Sequence, residues 1–262
     1  MTATDAHDGP VTLHVETFGT PDKPALVFLG SLGANLSMWR DQAVLADDYY
    51  VIFMDLLGHG SSPVPDGPYT ISGMAEDVLH TLDELGVGVA NVVGLSIGGA
   101  LVQDLLLQHP DRVQAAVLAC TAAKFGTREA WEERVRIVLA EGTAAVAQQV
   151  ASRWFTPSFG ERGYFASFED IISHTDRVGY AGAAAALADF DSRAQLATVT
   201  RPVLVISAAE DSSTPADVVR ELADLIPGAE WASIAGAAHL ANIEQQEEFN
   251  RLLRAFLAQH QA

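Results

Sequence analysis

A serine set between glycines, Gly94-Leu95-Ser96-Ile97-Gly98, directly follows the apolar run Val89 to Val93 and precedes helical spacing from Gly99 to Gln108. On so tight a strand-to-helix turn the serine backbone is strained, small residues must flank it, and its hydroxyl projects above the sheet at a helix N-terminus. Such a hydroxyl attacks a carbonyl carbon once a base takes its proton, and the base needs an acid to fix its tautomer. Where a serine occupies this kind of turn, the partners follow in the order acid, then histidine, each just past a strand's carboxyl end. Asp211 follows the apolar run Val203 to Ala208 and precedes Pro215. His239 follows Glu230 to Ile234 and the small-residue turn Ala235-Gly236-Ala237-Ala238. The expected catalytic set is Ser96, Asp211 and His239. Glu210 is the rival acid, set second because the E-D-x-x-x-P frame puts the later carboxylate on the loop. Among the other histidines, His7 and His260 are terminal, while His14, His80 and His109 read as strand, helix or loop residues; His174 stays open.

Attack on a carbonyl puts negative charge on its oxygen, which preorganised backbone N–H groups can hold. One donor is expected from Ile97, immediately after the serine. The other is expected from Leu32, in the turn Gly30-Ser31-Leu32-Gly33 that follows Ala25 to Gly30.

These groups must be carried by a scaffold, and its elements show in the pattern of apolar residues. Runs of strand length occur at Ala25 to Gly30, Tyr50 to Met54, Val89 to Gly94, Ala115 to Cys120 and Val203 to Ala208. They are continuous rather than alternating, as in a parallel sheet covered by helices on both faces. Met74, Val78, Leu82 and Leu85 mark one face of an intervening helix. Val11 to Phe18 alternates, which predicts an antiparallel edge strand with one wet face. From about Thr121 to Leu196 no strand pattern appears, and helical stretches replace it at Arg128 to Ala140, Thr143 to Trp154 and Tyr180 to Phe190. The expected organisation is a core of residues 1–120 and 197–262 with residues 121–196 inserted as a helical cap. The cap would sit over the carboxyl ends of the strands, where open α/β sheets bind ligands.

Composition narrows the function classes. In 262 residues, 15 Lys and Arg oppose 34 Asp and Glu, a formal net charge of −19. That charge repels nucleic-acid phosphates and anionic lipid surfaces, so neither is expected as a partner, and a small molecule is. The single cysteine, Cys120, excludes an internal disulfide and a cysteine zinc cluster, which suits a reducing compartment. Met1 to Pro10 has neither a basic n-region nor an apolar h-region, and no run approaches a membrane span. A soluble cytoplasmic protein is expected, with homo-oligomerisation left open.

Gly94 to Gly99, the loop Asp55-Leu56-Leu57-Gly58-His59-Gly60, Glu210-Asp211 and His239 together resemble the α/β-hydrolase superfamily across essentially the whole chain. Within it, Ser31 to Trp39, Thr121-Ala122-Ala123-Lys124, Arg153 to Pro157, Gly179-Tyr180-Ala181-Gly182 and Gln195 to Thr198 narrow the resemblance to the 3-oxoadipate enol-lactonases. The resemblance implies the α/β-hydrolase fold, a mostly parallel sheet flanked by helices with an inserted cap. It also implies hydrolysis of an enol-lactone in bacterial aromatic catabolism, with no metal or organic cofactor. The chain departs from the superfamily's usual residues at Gly30-Ser31, Leu57 and Gln246. His59 accordingly reads as part of a structural turn. A substrate of that kind carries a free carboxylate, and Arg153 is the candidate to pair with it while Trp154 packs on the ring. Lys124 is a weaker alternative.

Other readings use the same residues differently. A carboxylesterase or lactonase for a larger substrate would keep the serine machinery under a different cap. Perhydrolysis or carbon–carbon bond hydrolysis would suit the scaffold but not these cap segments. A haloalkane dehalogenase would need Asp in place of Ser96. A non-catalytic binding protein would have no use for an intact Ser96, Asp211 and His239.

Overall fold

In the computed structural model, which describes residues 9–260, the apolar runs assemble into one sheet. β1 (Val15–Phe18), β2 (Ala25–Leu29), β3 (Tyr50–Met54), β4 (Ala90–Leu95), β5 (Val113–Ala119), β6 (Val203–Ala208) and β7 (Glu230–Ile234) lie in the spatial order β1-β3-β2-β4-β5-β6-β7. β1 runs antiparallel to β3, and every other neighbouring pair is parallel. β2, β3, β4 and β6 are buried along their whole length, which is why their sequences lack alternation.

The alternating segment Val11 to Phe18 becomes strand only from Val15. Before that, side chains rather than a neighbouring strand take its backbone donors. Val11 N–H meets Asp77 Oδ1 at 2.8 Å, Leu13 N–H meets Thr81 Oγ1 at 2.9 Å and His14 N–H meets Ser62 Oγ at 2.9 Å. Met1 to Asp8, most of the segment on which the expectation of no export signal rests, lies outside the described residues. Among the described residues no helix is long and apolar enough to cross a membrane.

α1 (Ile71–Glu84) begins where Thr70 Oγ1 accepts the Gly73 N–H at 3.0 Å, and it buries Met74, Val78 and Leu82. α2 (Ile97–Gln108) follows β4 and is buried over most of its length, between the sheet and its neighbours. Between β5 and β6 the chain makes a helical excursion of α3 (Arg128–Glu141), α4 (Ala144–Ala151), the single turn α5 (Pro157–Phe159), α6 (Phe165–His174) and α7 (Arg177–Asp189). After β6 come α8 (Ala216–Leu225), β7, the short α9 (Ala241–Glu244) and α10 (Gln246–Gln259).

Several elements of the excursion differ from the sequence reading; α7 begins at Arg177 rather than Tyr180 and runs through Gly179. The helix expected over Thr143 to Trp154 stops at Ala151, where the chain tightens into turns: Arg153 N–H and Trp154 N–H donate to the Val150 and Ala151 carbonyls at 3.0 and 3.1 Å, and the Trp154 carbonyl accepts the Leu240 N–H at 2.9 Å. α6 has no counterpart in that reading. Pro157, Gly160 and Gly163 interrupt the sequence just before it, yet Phe155, Phe159, Tyr164 and Phe168 collect into one aromatic cluster, with ring centroids 4.4–5.6 Å apart in the contacting pairs. Within α6 itself Phe165, Phe168, Ile171 and Ile172 keep helical spacing, and burial of Phe168 in this cluster fixes the helix in place.

α7 is seated directly on the loop Asp55 to Gly60. Gly58, at φ +76, and Gly179 pack backbone to backbone, so a Cβ on either would collide with the main chain of the other.

Candidate active site

Ser96 stands between the last residue of β4 and the first of α2, at φ 58 and ψ −120, a backbone conformation that costs a residue with a Cβ roughly 1–3 kcal/mol. The surroundings enforce it. Ser96 N–H donates to the Ala119 carbonyl at 3.1 Å, and the Ser96 carbonyl accepts from Gly99 N–H at 2.9 Å and from the Thr121 hydroxyl at 2.7 Å. The glycines of the turn are needed for close approach. A Cβ at Gly94 would strike the Gly98 main chain, and a Cβ at Gly98 would strike the Leu29 carbonyl. Gly98→Ala is therefore expected to lower the yield of folded protein sharply, read by soluble expression and thermal midpoint, whereas an alanine at exposed Gly88, with open space around its Cβ position, leaves both unchanged.

Asp211 follows β6 and His239 follows β7, at the carboxyl ends of adjacent strands. His239 Nδ1 donates to Asp211 Oδ2 at 2.8 Å, and both side chains are buried. The carboxylate is saturated by further donors: Ser213 N–H at 2.7 Å, Thr214 N–H at 3.1 Å and Thr214 Oγ1 at 2.7 Å. Burial pushes the Asp211 carboxyl upward, but the imidazole of His239 and the Thr214 donors outweigh it and leave the group below its ordinary range. Asp211 is thus held ionised. Glu210, the rival acid, is exposed.

With Nδ1 committed to Asp211, Nε2 is the ring atom of His239 left for the cavity that it lines together with Ser96. This cavity has a volume of about 430 Å³, enough for a small organic acid. Leu32 lines it from the turn after β2. The hydrogen bond closing that turn joins Ala34 N–H to the Ser31 carbonyl at 3.0 Å and leaves the Leu32 N–H out of it. Ile97 is the first residue of α2, where an N–H has no intrahelical carbonyl to meet. Gly98 N–H to the Gly30 carbonyl, 3.1 Å, ties the two turns together.

The excursion supplies the rest of the lining. Arg153 and Trp154, both expected from sequence, line the cavity; Trp154 is buried with its ring edge-on to Phe168 at 5.5 Å, and Arg153 is exposed at the mouth. Lys124 also lines it while pairing with Asp191 at 3.3 Å. Arg134, which sequence reasoning missed, donates to the Tyr180 hydroxyl at 3.2 Å with its guanidinium 5.6 Å from the Trp131 ring centroid. The cavity therefore carries three cationic side chains and no Asp or Glu among its described lining residues, on a chain of net charge −19.

The remaining histidines are placed otherwise. His59 is buried with Nδ1 on the Leu57 carbonyl at 3.0 Å, and burial pushes its pKa down. His174 is exposed beside Asp170 on α6. Sequence reasoning also missed Thr121 and Thr214, whose signal is only a hydroxyl within a few residues of a strand end. Among the described residues no group of three or more His, Cys, Asp or Glu is placed to hold a metal.

Comparison with known proteins agrees with this fold. Residues 24–246 match the family model described as alpha/beta hydrolase fold. Two proteins of Acinetobacter baylyi named 3-oxoadipate enol-lactonase 2 and 3-oxoadipate enol-lactonase 1 are similar to this chain at 39% and 33% identity, each over 94% of this chain and 93% of the relative. The crystal structure of the enol-lactonase from Burkholderia xenovorans LB400 superposes with a TM-score of 0.91 at 37% identity, covering 94% of this chain and 96% of that one.

Proposed function

The chain belongs to the α/β-hydrolase fold family, and from that premise we propose that it hydrolyses a small carboxylate-bearing enol-lactone, 3-oxoadipate enol-lactone, through an acyl-enzyme on Ser96. The observation that carries the reading is the strained Ser96 turn sharing a cavity with His239, whose Nδ1 is bonded to a buried Asp211. The relatives named enol-lactonase and the cationic lining of the cavity support the substrate class. In this reading residues 121–196 form the cap over a core of 1–120 and 197–262, and the enzyme serves the bacterial breakdown of aromatic compounds in the cytoplasm.

His239 Nε2 takes the Ser96 proton as Oγ bonds to the lactone carbonyl carbon, and the oxygen's charge falls between the Leu32 and Ile97 N–H groups. Collapse of this intermediate breaks the ring carbon–oxygen bond and expels an enolate. Conjugation spreads the enolate's charge, so its departure asks less of His239 as an acid than an alkoxide would; the enol that forms relaxes to the ketone. Water, deprotonated by His239, then cleaves the acyl ester and restores Ser96. Asp211 remains ionised throughout and steadies the imidazolium.

Arg153 lies at the mouth, where its guanidinium meets the substrate carboxylate. A charge-assisted pair that stays partly hydrated is worth about 1.5 kcal/mol, or roughly tenfold in affinity. Arg153→Ala is accordingly expected to raise KM for the anionic lactone about tenfold and leave KM for a neutral lactone unchanged. An equal effect on both would remove the carboxylate contact. The substrate itself is tested by following loss of enol-lactone ultraviolet absorbance beside a panel of short p-nitrophenyl esters. A kcat/KM for the esters above that for the enol-lactone would move the assignment to a general carboxylesterase.

A further inference from the structure

Glu244, at the end of α9, is a buried carboxylate with no Lys, Arg or His paired to it among the described residues. Burying an anion without a counter-charge costs several kcal/mol unless strong donors replace its water. Here three do, and they come from two parts of the chain far apart in sequence. From the excursion, Thr156 N–H reaches both carboxylate oxygens at 3.1 and 3.2 Å, and the Thr156 hydroxyl donates to Oε1. From the loop after β7, Ala238 N–H donates to Oε2 at 3.0 Å. On the other side of His239, Leu240 N–H donates to the Trp154 carbonyl at 2.9 Å. The amides immediately before and after His239 are thus both spent on bonds that involve the 154–156 segment, directly or through Glu244. That segment directly follows Arg153.

We infer that Glu244 is a positioning residue that clamps the segment carrying Arg153 and Trp154 to the loop carrying His239, so that the base and the bound substrate share one rigid frame. This rests on the reading of Ser96 and His239 as nucleophile and base. Mere structural support would predict lost stability alone. A clamp predicts that the reactivity of Ser96 falls in protein that is still folded, even toward a probe that makes no use of Arg153.

The test is the rate of Ser96 labelling by a small neutral fluorophosphonate in the full-length protein, with folding checked by circular dichroism and thermal midpoint. Glu244→Gln keeps the volume but turns an amide NH2 toward N–H donors, and Thr156→Val removes only the hydroxyl donor. Expected are labelling about tenfold slower in Glu244→Gln and a few-fold slower in Thr156→Val, with the double variant no slower than Glu244→Gln alone. Wild-type labelling rates in folded Glu244→Gln, or additive losses in the double variant, would overturn the clamp. If Glu244→Gln does not fold, Thr156→Val decides: slower labelling supports the clamp and an unchanged rate overturns it. Failure of the wild-type protein to label at Ser96 would instead strike the catalytic reading, so the two failures are distinguishable.

Discussion

Ser96→Ala is expected to abolish turnover of the enol-lactone to within roughly a millionth of the wild-type kcat, while leaving fold and thermal midpoint nearly intact. The size follows from the mechanism. Without Oγ no acyl-enzyme forms, and His239 has no positioned nucleophile to activate. Residual rate would come only from the Leu32 and Ile97 donors and from substrate binding, worth about 10³–10⁴ over water. The substitution is mild structurally, because the bonds that hold the turn use the Ser96 main chain rather than its hydroxyl. Alanine relieves none of the φ 58 strain, so no gain in stability masks the result. The check is a stopped-flow or steady-state absorbance assay with active-site titration by fluorophosphonate. A variant that kept even a tenth of its turnover would remove Ser96 from the reaction.

Asp211→Asn is the second large effect, with kcat expected to drop by about 10⁴. An asparagine of the same shape can turn its NH2 toward Nδ1, which selects the tautomer that leaves Nε2 protonated and unable to accept from Ser96. The same residue sets an acid limit on stability. Its folded pKa lies below the unfolded value, so the native state gains from ionised Asp211 wherever the unfolded group is also ionised, above about 3.9. That contribution disappears as pH falls through the folded pKa. Thermal midpoints measured from about pH 6 down to about pH 3 are therefore expected to fall more steeply for the wild type than for Asp211→Asn. Parallel curves would show that the carboxylate is not held ionised by the His239 and Thr214 contacts.

The sheet was legible because it is parallel and covered on both faces, which leaves unbroken apolar runs in sequence; β6 spans Val203–Ala208, as those runs predict. The placement of Ser96, Asp211 and His239 at strand ends was legible for the same reason, since strand ends are where the runs stop. What stayed hidden depends on tertiary contacts. α6 keeps helical spacing at Phe165, Phe168, Ile171 and Ile172, but the segment is short and follows Pro157, Gly160 and Gly163, and its seat in the aromatic cluster exists only in the folded chain. Arg134 faces the cavity only because α3 packs on α7 in one orientation. Glu244 looks in sequence like any surface acid beside Gln245 and Gln246, and only the converging Thr156 and Ala238 donors reveal its burial.

The backbone contact between Gly58 and Gly179 bears on how this protein can vary over generations. In an ordinary core a bulkier residue is accommodated when its neighbour shrinks, and drift proceeds through such paired exchanges. Here both neighbours already have the smallest side chain available, so an added methyl at one site finds no compensating change at the other. The seat of α7 on the Asp55 to Gly60 loop is thus an irreversible commitment in sequence space, and variety in this chain must accumulate at other joints between the helices and the sheet.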